Sequence, residues 1–494
     1  MNRITEIFKN CNQIKEQTEI FFRRYIGCEL LRKCRITKID ERARNGDIQS
    51  CNPVSRLIGD AEDSKLLKAC VSAKQILLDK IAQVFYDESP YRMFKDGTFP
   101  HPYKKDTYYR FDRMGSANWE RLQTGTAANV INDIVSQTED GQTAALVIDD
   151  TLYMRRRGKG TELCAQVFDH TDGKLRTGYR MITGGWTNGE TFIPFEQHLL
   201  TTNKKELMVG PDEQVDGRTR KGMRRSEARR AGTDIAVGIV DTAKEAGIPF
   251  RYVMFDTWFS NPAQVVAIKE KGADVIAMVK KGKAKYLWAD PSTKKELNLN
   301  VKQIYSMNKK RPGRAKYLFS VEVKARGQDG KLVSVRLIYA RNRNKKGDWV
   351  CFFCTDMGLN EEEALRLYSM RWSIETYFKT CKSYLKLRTE CHSTSYDAIT
   401  SHMVVAALRY MMLSVEKFRS SDTRSLLDFF YDIKREVAND LLAPQLACML
   451  DTMLDIVSEC LRPDEDTIDS IVLNFMRRLP PLWHERLMIP PVAA

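Results

Sequence analysis

The sequence predicts a mixed α/β sheet with helical regions on both sides. Three observations predict it. Short apolar runs that read as buried strands are followed by acidic residues. Helical and strand patterns alternate between 233 and 279. Both ends of the chain, before about 137 and after 396, carry helical periodicity.

Taken in order, residues 1–90 read as helical, with apolar positions at helical spacing from Ser64 through Ile81. A polar stretch with Pro and Gly, 88–106, precedes a helix predicted over 116–137. Ala144 to Ile148 is an apolar run read as a buried strand ending at Asp149-Asp150. Two further strands, 162–169 and 175–183, turn at Asp172-Gly173, and Thr191 to Phe195 extends the sheet. A basic stretch, Arg218 to Arg230, leads to a helix at 233–246, which Gly247-Ile-Pro249 stops. The strand Tyr252 to Phe255 ends in Asp256, a helix follows at 261–272, and another strand spans Asp274 to Val279. Residues 281–348 read as an inserted β-rich subdomain, with a strand at Val333–Tyr339 after the turn Asp329-Gly330. The sheet resumes at 349–355. A long helix over 361–387 follows, with Asn360 as N-cap and Glu363 as its capping-box partner. Residues 396–494 read as amphipathic helices, for example Met403 to Phe418.

The 494 residues are enough for two to four domains. With 43% hydrophobic and 29% charged residues, the composition is that of a globular protein. No apolar run approaches the roughly 18–20 residues of a membrane span, and Met1 to Lys15 lacks the apolar stretch of a secretory signal. The expectation is an intracellular protein without a membrane partner. The twelve cysteines are scattered and read as reduced core residues. Cys351 and Cys354 have CxxC spacing but lie in an apolar run, so structural cysteines are favoured over zinc. His101, His170, His198, His392, His402 and His484 show no metal spacing.

The net charge of +15 points to a polyanionic partner. Its distribution is more specific. Residues 281–348 hold 19 Lys and Arg against 5 Asp and Glu, nearly the whole excess of the chain. Lys309, Lys310, Arg311 and Arg314 are the candidate phosphate-binding residues of this surface. Arg224, Arg225, Arg229 and Arg230 are read equally as DNA contacts or as a solvated helix end.

Three acidic positions make a candidate site: Asp149 or Asp150, Asp256 and Glu375. Carboxylates at the ends of adjacent strands gather at one edge of a sheet, and a helix across that edge can supply a third. Such oxygen donors suit Mg²⁺ or Mn²⁺, and two ions can serve phosphoryl transfer. On the helix, Tyr368, Arg371 and Lys382 stand seven before, four before and seven after Glu375. At about 100° per residue all four fall within a stripe of roughly 60°. Cations and a phenol beside a carboxylate can hold a phosphate next to a metal ligand. Trp372, beside Arg371, is expected to pack on the sheet.

Tyr368, Arg371, Glu375 and Lys382 match the Y-(2)-R-(3)-E-(6)-K signature, and the chain over about 140–390 resembles bacterial DDE transposases of the insertion-sequence IS-four type. The Asp-x-Thr at Asp149 and Thr151, the Asp at 256 and the β-rich insertion agree with that resemblance. It implies a ribonuclease-H-like fold and cut-and-paste DNA transposition. Asp149, Asp256 and Glu375 would be ligands to two Mg²⁺ ions, with Mn²⁺ as substitute and Asp150 as the alternative to Asp149. Tyr368, Arg371 and Lys382 would grip the phosphate near the cut. In hairpin-forming relatives an aromatic residue after the insertion stacks on a flipped base, and Trp349 fits that place. The partners implied are DNA with terminal inverted repeats, target DNA and a second copy of the chain in the synaptic complex, at the nucleoid of a bacterial cytoplasm. The domains expected are an end-binding helical region (1–140), a catalytic domain in two parts (141–280 and 349–390) around the insertion (281–348), and a C-terminal helical region for dimerisation (391–494). Two alternatives stand beside this: a domesticated relative that binds DNA without cutting, and a ribonuclease-H-like nuclease without strand transfer.

Overall fold

A computed structural model describes residues 13–40, 70–435 and 464–478, with Val437, Thr452, Met453 and Ile456. Within the long span, residues 87, 102, 139–141, 156, 170–172, 292, 294, 312–316 and 421–423 fall outside the description. Arg314, His170, His484 and the Asp172 half of the expected turn therefore lie outside the described residues.

The centre is one eleven-stranded sheet. Its strands are β1 (Ala145–Met154), β2 (Ala165–Asp169), β3 (Lys174–Thr187), β4 (Phe192–Leu200), β5 (Tyr252–Phe255), β6 (Asp274–Val279), β7 (Lys285–Ala289), β8 (Glu296–Asn300), β9 (Tyr317–Arg326), β10 (Leu332–Arg341) and β11 (Trp349–Cys354). The order is β8-β7-β9-β10-β11-β6-β5-β1-β3-β2, with β4 also paired to β3. β3 is antiparallel to both β1 and β4, while β5 and β6 run parallel to β1. An antiparallel meander followed by two parallel strands is the ribonuclease-H-like mixed α/β arrangement expected from the sequence.

The parallel strands are buried on both faces and read as continuous apolar runs, as such strands must. Each is fed by a helix: α3 (Gly232–Glu245) before β5, α4 (Pro262–Glu270) before β6. Gly247, in left-handed conformation (φ 67°), closes α3, and Asn261 caps α4 by accepting from the Gln264 N–H at 3.0 Å. α3 lies close on β3 because Gly184 has no Cβ. An added one would fall 2.5 Å from Ile239 Cγ2.

The insertion is less separate than its sequence suggests. Its strands β7–β10 continue the same sheet, because β10 pairs with β11 and β11 with β6. Gly330 (φ 84°) turns the hairpin β9–β10 as expected. In β11, Cys351 and Cys354 are both buried, and three residues apart on a strand they point to opposite faces. They cannot share one ion.

Three expectations need correction. β1 does not end at Asp149-Asp150 but runs on to Met154. Its parallel neighbour β5 stops at Phe255, and the β3 ladder alone carries β1 further. The helix from Asn360 is not continuous to 387. It divides into α5 (Glu361–Tyr368), a 3₁₀ turn (Ser369–Arg371) and α6 (Trp372–Ser383). Asn360 does accept from the Glu363 N–H at 2.8 Å, but the Glu363 carboxylate turns to Arg366, so the capping box is half made. Finally, α7 (Tyr396–Ser420) is not amphipathic. It is buried on every side from Tyr396 to Val415, packed among β4, α6, the helices Ala73–Ala82 and Lys105–Asp112, and α1 (Trp119–Ser136). Among the described residues it is the helix long and apolar enough to cross a membrane, and its apolar window is wholly buried in the fold.

Candidate active site

The pairing register brings the first two carboxylates together. Ile148 of β1 pairs in parallel with Phe255 of β5, so Asp149 and Asp256 follow at the same level. Successive residues on a strand point to opposite faces, and the two aspartates of β1 accordingly part. Asp149 faces the 3₁₀ turn before α6, where Arg371 Nη1 donates to its Oδ2 at 2.9 Å. Asp150 is held bidentately by Arg180 of β3, at 2.7 and 2.8 Å. Asp256 Oδ1 accepts from the Trp258 N–H at 2.9 Å.

The helix signature lies against the same strands. Arg371 Nη2 reaches Glu375 Oε1 at 3.3 Å, so one guanidinium links Asp149 to Glu375. The Tyr368 hydroxyl donates to the Phe255 carbonyl at 3.4 Å, one residue before Asp256. Lys382 Nζ donates to Thr151 Oγ1, two residues after Asp149. Tyr368, Arg371 and Lys382 therefore reach β1 and β5 despite the 3₁₀ turn between Tyr368 and Trp372, and Glu375 is joined to β1 through Arg371.

Charge in this place is out of balance. Asp149 is 7% exposed, and its pKa is pushed up to about 7, first by burial and then by the charge of Asp256, against the pull of Arg371. Burial also raises Asp256. Lys382 is pushed down to about 8 by burial and then by the charge of Arg388. Among the described residues, no three His, Cys, Asp or Glu side chains stand close enough together to enclose an ion, since Arg371 lies between Asp149 and Glu375. The donor set nonetheless fits a hard divalent cation: carboxylate oxygens only, one of them buried and short of positive charge.

The other expected residues fall elsewhere. Trp349 lies in the insertion's aromatic stack, parallel to Tyr305 at 4.5 Å, with Lys281 Nζ 4.3 Å from its ring centre. Lys310 stands over Tyr305 and Arg311 over Tyr317, at 4.5 and 4.0 Å, on this same subdomain, and Lys309 is exposed beside them. Trp372 does not pack on the sheet. It is 68% exposed, on the far side of α6 from the buried Ile374 and Phe378. Arg224 and Arg225 are neither DNA contacts nor solvated. They lie in α2 (Arg220–Glu227), 4% and 5% exposed, bonded to Glu120, Glu162 and Asp397. Arg229 pairs with Asp212, and Arg230 is exposed. Of the histidines, His101 and His198 pair with Asp79 and Glu196, and His402 is buried against the Lys386 carbonyl.

Two residues beside the site were not foreseen. Arg180 fixes Asp150, and Trp258, 41% exposed, receives the Arg180 guanidinium 4.4 Å from its ring centre. The β1–β3 ladder pairs Arg180 with Leu152 and so puts it diagonal to Asp150 on one face, a register between separated strands that local pattern does not give.

No curated protein matches the chain. Two family models do. The DDE superfamily endonuclease matches residues 72–299, which contain Asp149 and Asp256. The transposase DDE domain matches residues 215–412, which contain Asp256 and Glu375. These overlapping matches, taken with the mixed sheet, support a DDE transposase.

Proposed function

We propose that this chain cuts DNA at the ends of a mobile element and joins the freed 3′ ends to a target, as a cut-and-paste transposase of the IS-four type. The observation that carries the reading is the meeting of Asp149 and Asp256 at one level of the sheet, with Arg371 tying Asp149 to Glu375. Asp149, Asp256 and Glu375 would hold Mg²⁺ or Mn²⁺, two ions per site. Such ions, when bound, supply activation of a water or 3′-hydroxyl and stabilisation of the leaving oxygen. Asp149 is favoured over Asp150, whose carboxylate is already saturated by Arg180. Tyr368, Arg371 and Lys382 line the same edge and would hold the phosphate beside the cut. A Lys382 ammonium with a pKa near 8 stays mostly charged at neutral pH, as that role needs.

The finer parts of the reading rest on the sequence resemblance: terminal inverted repeats, a second copy of the chain bridging two ends, and work at the bacterial nucleoid. So do the domain assignments, and so does a hairpin step with Trp349, where a flipped base would have to displace Tyr305 or Lys281. An endonuclease without strand transfer is the second reading, favoured by the description of the first matched family.

Glu375→Gln tests the main reading. On DNA carrying the repeats that flank this gene, with Mg²⁺ or Mn²⁺, the wild type should cut at the repeat boundary. The variant should bind and not cut. Joined products separate transposase from endonuclease, and a folded wild type that binds but never cuts would overturn both.

A further inference from the structure

A second basic surface lies away from the carboxylates and outside the insertion. A cleft of about 1240 Å³ opens between the N-terminal helices, α2 and the start of α7. Eight Lys and Arg line it against three Asp. Its cations come from segments far apart in sequence: Arg35, Arg113 and Arg121 from one wall, Arg218, Arg220 and Lys221 from the other. Arg35, Arg113 and Arg121 are exposed and have no carboxylate partner among the described residues. One wall belongs to the basic stretch Arg218 to Arg230 seen in the sequence, whereas Arg35, Arg113 and Arg121 come from separate segments that only the fold brings opposite it.

The cleft is built on a rigid floor. Arg224 joins Glu120 of α1 to Asp397 of α7, and also donates to the Ala117 carbonyl at 2.7 Å. Arg225 joins Glu162 and Asp397 at 2.6–2.9 Å and donates to the Lys221 carbonyl. This buried lattice fixes α2 against α1 and α7, and so holds Arg220 and Lys221 opposite Arg121. Removing the ion pairs would let those cations drift apart, so the buried charges act by positioning.

The cleft also stands in line with the carboxylates. Moving along β1 from Asp149, Lys382 meets Thr151, Arg388 meets the Leu152 carbonyl, and Arg155 donates to the carbonyls of Cys391 and Ser393. Ser395, two residues on, lines the cleft. Six residues of strand from Asp149 to Arg155 cover about 20 Å. That is on the order of six base pairs at about 3.4 Å each.

We propose that this cleft grips the sugar–phosphate backbone of duplex DNA about one half-turn or more from the cut end. The direction along the duplex rests on the DNA-cutting reading, whereas the binding itself can be measured without any cutting. Phosphate neutralisation by exposed, unpaired arginines releases counterions, so affinity through the cleft falls steeply with salt.

The test uses the full chain in EDTA and a fluorescent duplex of about 20 base pairs, roughly two helical turns, titrated over a salt series. The triple variant Arg35→Ala, Arg113→Ala, Arg121→Ala should flatten the slope of log K against log salt by up to about three. Gly115→Glu supplies a variant that removes nothing. Its Cβ would first meet the flexible Lys221 side chain, at 3.4 Å, and its carboxylate would enter the cleft. It should weaken binding with the melting temperature unchanged. An unaltered slope and affinity in both folded variants overturns the proposal. So does equal binding of single-stranded RNA that the same variants abolish. A wild type that binds duplex through the cleft and never cuts defeats the DNA-cutting reading while leaving the cleft standing. A wild type that cuts, with binding indifferent to both variants, defeats the cleft alone.

Discussion

The cluster of buried charge around α2 and the one around Asp149 are organised differently. Around α2, two arginines meet Glu120, Glu162 and Asp397 with nearly every oxygen and nitrogen in a hydrogen bond. Burial there pushes Glu120 up, but Arg224 pulls harder and holds it below its ordinary pKa. On β1, Asp149 shares Arg371 with Glu375 beside Asp256, and its pKa rises to about 7. The first cluster is balanced and holds elements together. The second carries unmatched negative charge in a partly desolvated place, which costs folding free energy and leaves oxygen donors ready for a cation.

Paired substitutions test that contrast most strongly. Asp149→Asn should lower DNA cutting by about a thousandfold or more, the scale of losing a group that acts on developing charge. Its stability should be equal or higher near pH 8, because an ionised Asp149 is disfavoured by burial. Asp397→Asn should do the reverse to the fold, destabilising by about 3–5 kcal/mol as Arg224 and Arg225 lose a buried partner. Urea denaturation of both variants reads this directly. Equal loss of stability in the two would erase the distinction between a binding cluster and a structural one.

A smaller effect should follow from a third cluster. Arg409 is fully buried and bonds Glu390 at 2.7 and 3.0 Å. Burial alone would raise Glu390, but Arg409 overcomes it, and the carboxyl sits at about 2. A folded pKa below the unfolded value of about 4.3 means stability that is full above pH 4.3 and is lost as pH falls towards 2. The loss should amount to about 3 kcal/mol at most. Glu390→Gln should be less stable than wild type at pH 7 and should lose much of that acid sensitivity. A variant with the wild-type acid profile would remove Glu390 from the account.

Much of this was legible in the sequence because it depends on local pattern. The strands Tyr252–Phe255 and Asp274–Val279 and the caps at Asn360 and Gly247 follow from apolar runs and turn chemistry. Asp256 just after β5 and the spacing of Tyr368, Arg371, Glu375 and Lys382 are local features too, whereas Asp149 lies inside β1 and not at its end. What escaped depends on contacts between distant segments. The burial of Arg224 and Arg225 needs Glu120, Glu162 and Asp397, which lie about 60 to 170 residues away. α7 reads as amphipathic because Arg409 and His402 interrupt its apolar pattern, but Glu390 and three backbone carbonyls accept the arginine inside the fold. The continuity of the insertion with the main sheet is invisible for the same reason, since β10–β11 pairing is a register, not a composition.

The smallest effect separates the insertion from the cleft as DNA surfaces. Lys310 and Arg311 stand over Tyr305 and Tyr317, so part of their charge is already engaged with aromatic rings. Lys309→Glu, Lys310→Glu, Arg311→Glu should weaken binding across unrelated duplex sequences at moderate salt. The change in salt slope should be smaller per residue than for Arg35, Arg113 and Arg121, which have no such partners among the described residues. Binding that is unchanged would remove this segment from the DNA surface despite its charge. A per-residue change larger than that of the cleft arginines would make the insertion the main grip, and would mean that net charge in the sequence is a better guide to the DNA path than the fold's assembled cleft.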